Sequence, residues 1–321
     1  MVSLYTIKNN KILIVIAIML VYVIILFFSD INKISQQFMK IKFELIVPIL
    51  IIEFLSLLLR SIRQQQFLRN IGITLSFVIN LKIYIASLAA VATPAGGGQV
   101  IKSQLMKRNY GHSNSKTLPV ILFERFHDLL AVFFIIAVSL LFSYNWLSML
   151  IVVISSLLLI TLFTIFRSSH FFIRITNYFL KFKFFQKFIP GPELNTSITS
   201  LSRSRPMILG FIISLGSWIL DATAVYIGFL AFGQNLDFLK VMQFYFTSIA
   251  YGSLSFLPGG IGVTEGSFLG LLTATGLSIS LSTSLVIFSR ITTIWFATIL
   301  GFISTHFIII GKRYNSKKSN E

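Results

Sequence analysis

The chain has 321 residues, of which 55% are hydrophobic and only 12% charged, a balance that excludes both a disordered chain and a water-soluble enzyme. Its 27 Lys and Arg outnumber 10 Asp and Glu for a net charge of +17; in so apolar a chain that excess reports membrane topology and anionic lipid rather than nucleic acid. Cysteine does not occur, which removes disulfides, thiolate chemistry and Cys-ligated metals.

The apolar residues come in continuous blocks instead of the period-two alternation of a membrane β-barrel, so the fold class is an all-α polytopic membrane protein. Hydrophobic regions run over 12–29, 43–59, 71–93, 119–142, 146–166, 207–231, 241–263 and 285–311. The first ends Leu26-Phe27-Phe28-Ser29-Asp30, without a small-residue cleavage site, and reads as a retained span. The third and seventh run into Thr93-Pro94-Ala95-Gly96-Gly97-Gly98 and Leu257-Pro258-Gly259-Gly260-Ile261-Gly262. Both clusters break helices, because Pro lacks an amide donor and Gly carries the largest ordering cost.

Suppose that these two regions dip in and return to their side of entry, while the other six cross and the amino terminus lies inside. The basic loop residues then gather on one face, leaving outside only Lys33, Lys40, Lys42 and Lys240, with Lys82, Arg125 and Arg290 within hydrophobic regions. Eight full crossings divide the cations more evenly. The positive-inside rule therefore favours about six spans and two re-entrant elements in the cell membrane, with both termini cytoplasmic. Arg60, Arg63 and Arg69 count here as cytoplasmic loop residues.

The two clusters also announce a repeat. Pro94, Gly96 and Gly98 map onto Pro258, Gly260 and Gly262 at an offset of 164. With one inserted residue, Gly111 maps onto Gly276 and Val120-Ile121-Leu122-Phe123-Glu124-Arg125 onto Leu285-Val286-Ile287-Phe288-Ser289-Arg290. The chain is thus expected to form one membrane domain from repeat A over 43–142 and an inverted repeat B over 207–311. Between them lies a basic amphipathic cytoplasmic segment over 167–206. Broken helices at matching positions of inverted repeats are a transporter architecture, with the binding site where they meet.

Ionisable residues within hydrophobic regions are costly and must pair or face water. Arg125 and Asp128 can reach each other at spacing three, and Glu124 and Asp128 share a face at spacing four. Glu53 and Asp221 read as halves of interhelical ion pairs. Arg290 has no acid beside it, so its partner must come from another segment or a ligand anion. Arg125 and Arg290, at related positions after the two breaks, are placed to grip one phosphate through their guanidinium forks. Glu265 could start a short helix, accept a proton or balance Arg290.

Arg167, Arg174 and Lys181 fall at heptad spacing in a Phe-rich stretch suited to lie along the cytoplasmic surface. Pro190-Gly191-Pro192 ends it, and Asn195 to Arg205 reads as a polar linker. The four histidines, His112, His127, His170 and His306, lack ligand spacing, and no Walker loop or nucleophile elbow occurs.

Pro94 through Lys102, then Phe123-Glu124-Arg125-Phe126-His127-Asp128, then Leu257-Pro258-Gly259-Gly260-Ile261-Gly262-Val263-Thr264-Glu265-Gly266, resemble the flippase-like integral membrane family. The same module forms the amino-terminal membrane region of lysylphosphatidylglycerol synthases of the multiple peptide resistance type. The resemblance implies an eight-segment membrane domain that moves a lipid between leaflets. Where the family has Gly-Glu-x-x-Arg after the first proline, this chain has Gly98-Gln99-Val100-Ile101-Lys102. That keeps a cation, removes the acid and shifts a proton-carrying role to Glu265. The synthases' aminoacyl-transferase domain is not in this sequence, so synthase activity is not expected.

The resulting expectation is a translocase, not an enzyme, for a membrane phospholipid or polyisoprenoid-phosphate lipid, without cofactor, metal or catalytic residues. Arg125, Arg290 and Lys102 would bind the phosphate, and Glu265, Glu124, Asp128 and Gln99 would line a polar or proton path. The alternatives are a noncatalytic scaffold for a separate lipid synthase or glycosyltransferase, and an ion-coupled carrier of a small anion.

Overall fold

The computed structural model describes residues 30–90, 99–167, 174, 193–255 and 257–306. The expected span over 12–29, the cluster Pro94, Gly96 and Gly98, nearly all of the basic stretch before Pro192, and the end of repeat B lie outside these residues.

Eleven α-helices carry the described fold: α1 (Ile31–Met39), α2 (Ile46–Asn70), α3 (Phe77–Leu88), α4 (Val100–Tyr110), α5 (Asn114–Leu140), α6 (Trp146–Arg167), α7 (Glu193–Leu201), α8 (Ser204–Ala231), α9 (Phe238–Leu254), α10 (Val263–Thr273) and α11 (Ile279–Arg290). Among the described residues there is no strand. After α11 a π turn over Ile291–Trp295 leads into further helix, and Ile279–His306 is long and apolar enough to cross a membrane. So are Phe43–Asn70, Trp146–Ile165 and Ser204–Ala231. Their outer faces expose Leu157, Ile160, Phe163, Ile208 and Ile212, side chains that suit lipid.

The third and seventh hydrophobic regions form short helices. α3 has 12 residues, about 18 Å, against the ~30 Å of a hydrocarbon core. α9 has 17 residues before the chain turns through Pro258–Gly260, where Gly259 and Gly260 take left-handed φ of 61° and 66°.

The two halves repeat the same grammar. In the first, α2 ends at left-handed Gly72, and Ser76 caps α3 by accepting from the Ile79 N–H. Then α4 ends at left-handed Gly111, and Ser113 caps α5 by accepting from the Lys116 N–H. In the second half Gly233 and Asp237 stand between α8 and α9, while Gly276 and Ser278 stand between α10 and α11. Glycine is required at these turns because a Cβ would strain their positive φ, and the Ser or Asp oxygen satisfies an orphan N–H of the following helix.

Packing shows how the halves are related. Arg60 bonds Ser217, Arg63 bonds Ser214, and a side chain on Gly210 would collide with Phe67, so α2 and α8 run antiparallel. The α3–α4 excursion starts and finishes at one end of the bundle, since a carbon added to Gly72 would lie 4.0 Å from the Lys116 ammonium. The α9–α10 excursion starts and finishes at the other. There the Lys42 N–H donates to the Ala231 carbonyl at 3.0 Å, and Phe38 of α1 meets Phe232 edge to face at 5.4 Å. Residues Asp30, Lys33, Gln36 and Gln37 share a cleft at that end with Ser278, Ile279 and Ser280. Asp30 caps α1, and the Lys33 N–H that it accepts holds its carboxylate below the usual range.

Two sequence expectations are corrected. Residues 195–205 are no polar linker throughout: α7 occupies Glu193–Leu201, because Leu194, Ile198 and Leu201 form a helical stripe that packs with Phe67, Leu68, Val120 and Phe123. Arg60 and Arg63 are not loop residues. They lie within α2, which continues to Asn70 because polar partners on neighbouring helices receive its charges.

Candidate functional site

Spacing along α2 builds the centre of the site. Glu53, Ser56, Arg60 and Arg63 stand at i, i+3, i+7 and i+10, which puts them on one helical face toward α8 and α5. The Arg60 guanidinium pairs with Asp221, donates from Nε to Ser217 Oγ at 3.4 Å and lies 4.2 Å over the Trp218 ring. Arg63 donates to Asp128 at 2.7 Å and to Ser214 Oγ. Asp128 also accepts from Trp218 Nε1 at 3.3 Å, so one carboxylate ties α2, α5 and α8 together.

Each half adds one buried pair. In the first, Lys102 on α4 donates to Glu124 on α5 at 2.7 Å and stands 4.5 Å over the Tyr84 ring. In the second, Glu265 on α10 accepts from Arg290 Nε at 2.7 Å. The polarity is reversed, with the cation on the first helix of one half and on the second helix of the other. Such pairs hold helices together when both charges are present and cost several kcal/mol when one is left alone.

The expected site residues thus fall into different environments. Glu265 does two of its three expected jobs: Oε2 accepts from the Gly262 N–H at 2.7 Å to cap α10, and Oε1 balances Arg290. The partner that Arg290 lacks beside it thus comes from another segment, and Arg290 also donates from Nη2 to the Gly259 carbonyl at 2.7 Å. Lys102 is likewise engaged. Glu124 and Asp128 share a buried face as expected, yet they serve different cations. Gln99, just before α4, is buried with Oε1 unpartnered among the described residues. Gly260 and Gly262 belong to the second break together with Pro258.

Arg125 stands apart. Its side chain is 44% exposed, against 7% for Arg290, and its Nη1 lies 3.6 Å from Asp128 Oδ2. Asp221 forms the interhelical pair expected of it, but Glu53 does not: it is buried, makes no ion pair among the described residues, and leaves Oε1 without a hydrogen-bond partner. Arg60 and Arg63 are the members that the sequence reading missed, and their spacing from Glu53 was the signal available.

An all-helical, polytopic bundle with charges buried between antiparallel halves defines an integral membrane protein. The chain belongs to the family described as the lysylphosphatidylglycerol synthase TM region, which matches residues 12–301. Among curated proteins it is similar to a UPF0104 membrane protein of Pyrococcus horikoshii, 25% identical over 91% of this chain and 95% of the relative. A UPF0104 membrane protein of Methanothermobacter thermautotrophicus matches shorter stretches, at 31% identity over 37% of this chain and 33% of the relative, and another of that description matches at 38% over 29% and 28%.

Proposed function

We propose that this protein is a translocase, and not an enzyme, that moves a phosphate-bearing lipid between the leaflets of the cell membrane, with Arg125 as the cation that meets the phosphate. The carrying observation is the place of Arg125. It sits about 3 Å from the midpoint of the 27-residue α5, yet its side chain is 44% exposed. A guanidinium at that depth needs water or an anion, and its fork matches two phosphate oxygens. Arg63, Lys102 and Arg290 hold carboxylates at 2.7 Å, whereas Arg125 stands 3.6 Å from Asp128, an acid that Arg63 already engages.

The broken α3–α4 and α9–α10 excursions, entered from opposite ends, support the reading as re-entrant elements of an inverted repeat. Arg69, Lys107, Arg108, Lys116, Arg203 and Arg205 gather at the end where α2 finishes and α8 begins, which supports a cytoplasmic place for that end.

The test is a reconstitution in vesicles of phosphatidylglycerol and phosphatidylethanolamine that contain a headgroup-labelled phosphatidylglycerol, quenched from outside. The wild type is expected to expose inner-leaflet label, and Arg125→Ala to lose that ability while keeping its thermal stability. Unaltered movement in Arg125→Ala would remove the arginine from the mechanism. No movement by the wild-type protein would favour a scaffold for a separate synthase or glycosyltransferase.

A further inference from the structure

The buried charges do not balance. Within the described membrane helices, Asp221, Asp128, Glu124 and Glu265 are matched by Arg60, Arg63, Lys102 and Arg290 in four close pairs. Glu53 is the fifth buried acid, 4% exposed, with no cation of its own and an unpartnered Oε1. The charged groups acting on it are Asp221 from α8 and Arg60 from its own helix, and Tyr245 of α9 lies near enough to sense both acids.

Depth sharpens the point. Glu53 lies about 5 Å before the midpoint of Phe43–Asn70, and Asp221 about 5 Å beyond the midpoint of Ser204–Ala231. The pairings Arg60–Ser217 and Arg63–Ser214 set Asp221 opposite Ser56, about one helical turn from Glu53, so one acid comes from each helix of the antiparallel pair. Arg60 sits one helical turn from Ser56 and reaches across to Asp221. Arg60 is thus bonded to one carboxylate, Asp221, while a second, Glu53, stands two turns before it on the same helix without an ion pair among the described residues.

We propose that Glu53 and Asp221 form a proton-binding site, with Arg60 neutralising one carboxylate and a proton the other. The ligand is a proton because a single O–H bond satisfies the orphaned oxygen without a coordination shell, and a metal cation would be repelled by the neighbouring guanidinium. At rest the proton is on Glu53, since Arg60 is bonded to Asp221. Movement of α8 against α2 would exchange the carboxylate that Arg60 holds, and the proton would pass to or from the acid that Arg60 released. The inference rests on the transport reading for its purpose, because it supplies the coupling ion, but the site itself does not.

The deciding measurement is infrared spectroscopy of the purified full-length protein in lipid nanodiscs, in H2O and D2O. A protonated-carboxyl C=O band at neutral pH, shifted by deuterium and lost in Glu53→Gln, is the expected result. Since Gln has the shape and neutrality of the protonated acid, Glu53→Gln is expected to keep its melting temperature, whereas Asp221→Asn, which abandons Arg60, is expected to melt lower. Absence of the band in the wild type, or its survival in Glu53→Gln, would overturn the site. In the vesicles described above, an imposed pH gradient should accelerate label movement by the wild type, and Glu53→Gln should lose that acceleration. If the band is found but the wild type moves no lipid, the transport reading fails and the proton site stands.

Discussion

Glu265 and Arg290 lock the second broken hairpin from both sides of the break. One Glu265 oxygen caps α10 at Gly262, the other accepts from Arg290, and Arg290 in turn holds the carbonyl of Gly259. A single carboxylate thereby fixes the start of a helix, the backbone of the turn before it and the angle of α11. Arg290→Ala would leave that acid buried without a counter-charge and is expected to destabilise the protein by about 3 to 5 kcal/mol. Arg290→Lys is expected to fall between, because an ammonium cannot address the carboxylate and the carbonyl with the same fixed fork. Thermal unfolding in detergent checks both, and an unchanged melting temperature for Arg290→Ala would contradict the pairing.

Lys102 and Glu124 provide the mirror experiment in the first half. With side chains only 2% and 0% exposed, neither tolerates the loss of the other, so Lys102→Met and Glu124→Gln alone are each expected to cost several kcal/mol. The double variant Lys102→Met with Glu124→Leu removes both charges and is expected to recover most of that loss. A double variant no more stable than either single one would show that Lys102 answers to something besides Glu124.

How far the sequence foretold this arrangement depends on the range of the signal. The second break was legible because Pro and Gly act locally, and Gly111 and Gly276, matched to each other in the sequence, both take left-handed φ in space. That Glu265 balances Arg290 was one of three roles left open by the sequence, because the acid lies 25 residues away on another helix and only packing decides among them. Arg60 and Arg63 were misplaced since cations at the end of an apolar run usually mark a membrane boundary. Here Asp221 and Asp128 receive them, and the helix runs on to Asn70. The stripe of Leu194, Ile198 and Leu201 was visible but masked by the polar residues around it.

Gly252 tests the packing of the second break. A Cβ there would collide with Thr264 Oγ1 and stand 3.2 Å from the Cα of Gly260, so α9 passes the turn with no room for a methyl group. Gly252→Ala is expected to destabilise by about 1 to 3 kcal/mol through overpacking. Adding Thr264→Ala removes the nearest colliding atom and is expected to restore part of the loss, the remainder reflecting the fixed backbone of Gly260. Full stability in Gly252→Ala alone would mean that α9 and the turn can separate.

The disposition of the two hairpins yields the most decisive labelling experiment, made simple by the absence of cysteine. Arg69 and Lys107 are both exposed, and flank the α3–α4 excursion; Asn235 and Ala274 are both exposed, and flank α9–α10. Because Gly72 meets Lys116, and α1 touches both Phe232 and the cleft at Ser278, each excursion rejoins the end that it left. Cysteines at 69 and 107 should therefore behave alike, as should those at 235 and 274, with the two pairs on opposite sides of the membrane. In the proposed orientation, which the cations around Arg69 and Lys107 support, the first pair is cytoplasmic. An impermeant maleimide is expected to label positions 235 and 274 in intact cells, and positions 69 and 107 only after the cells are opened. Had both excursions crossed completely, 69 and 107 would fall on opposite sides, and so would 235 and 274. Labelling of 69 without 107, or of 107 without 69, would exclude the re-entrant arrangement of the first half and with it the inverted relation between the repeats.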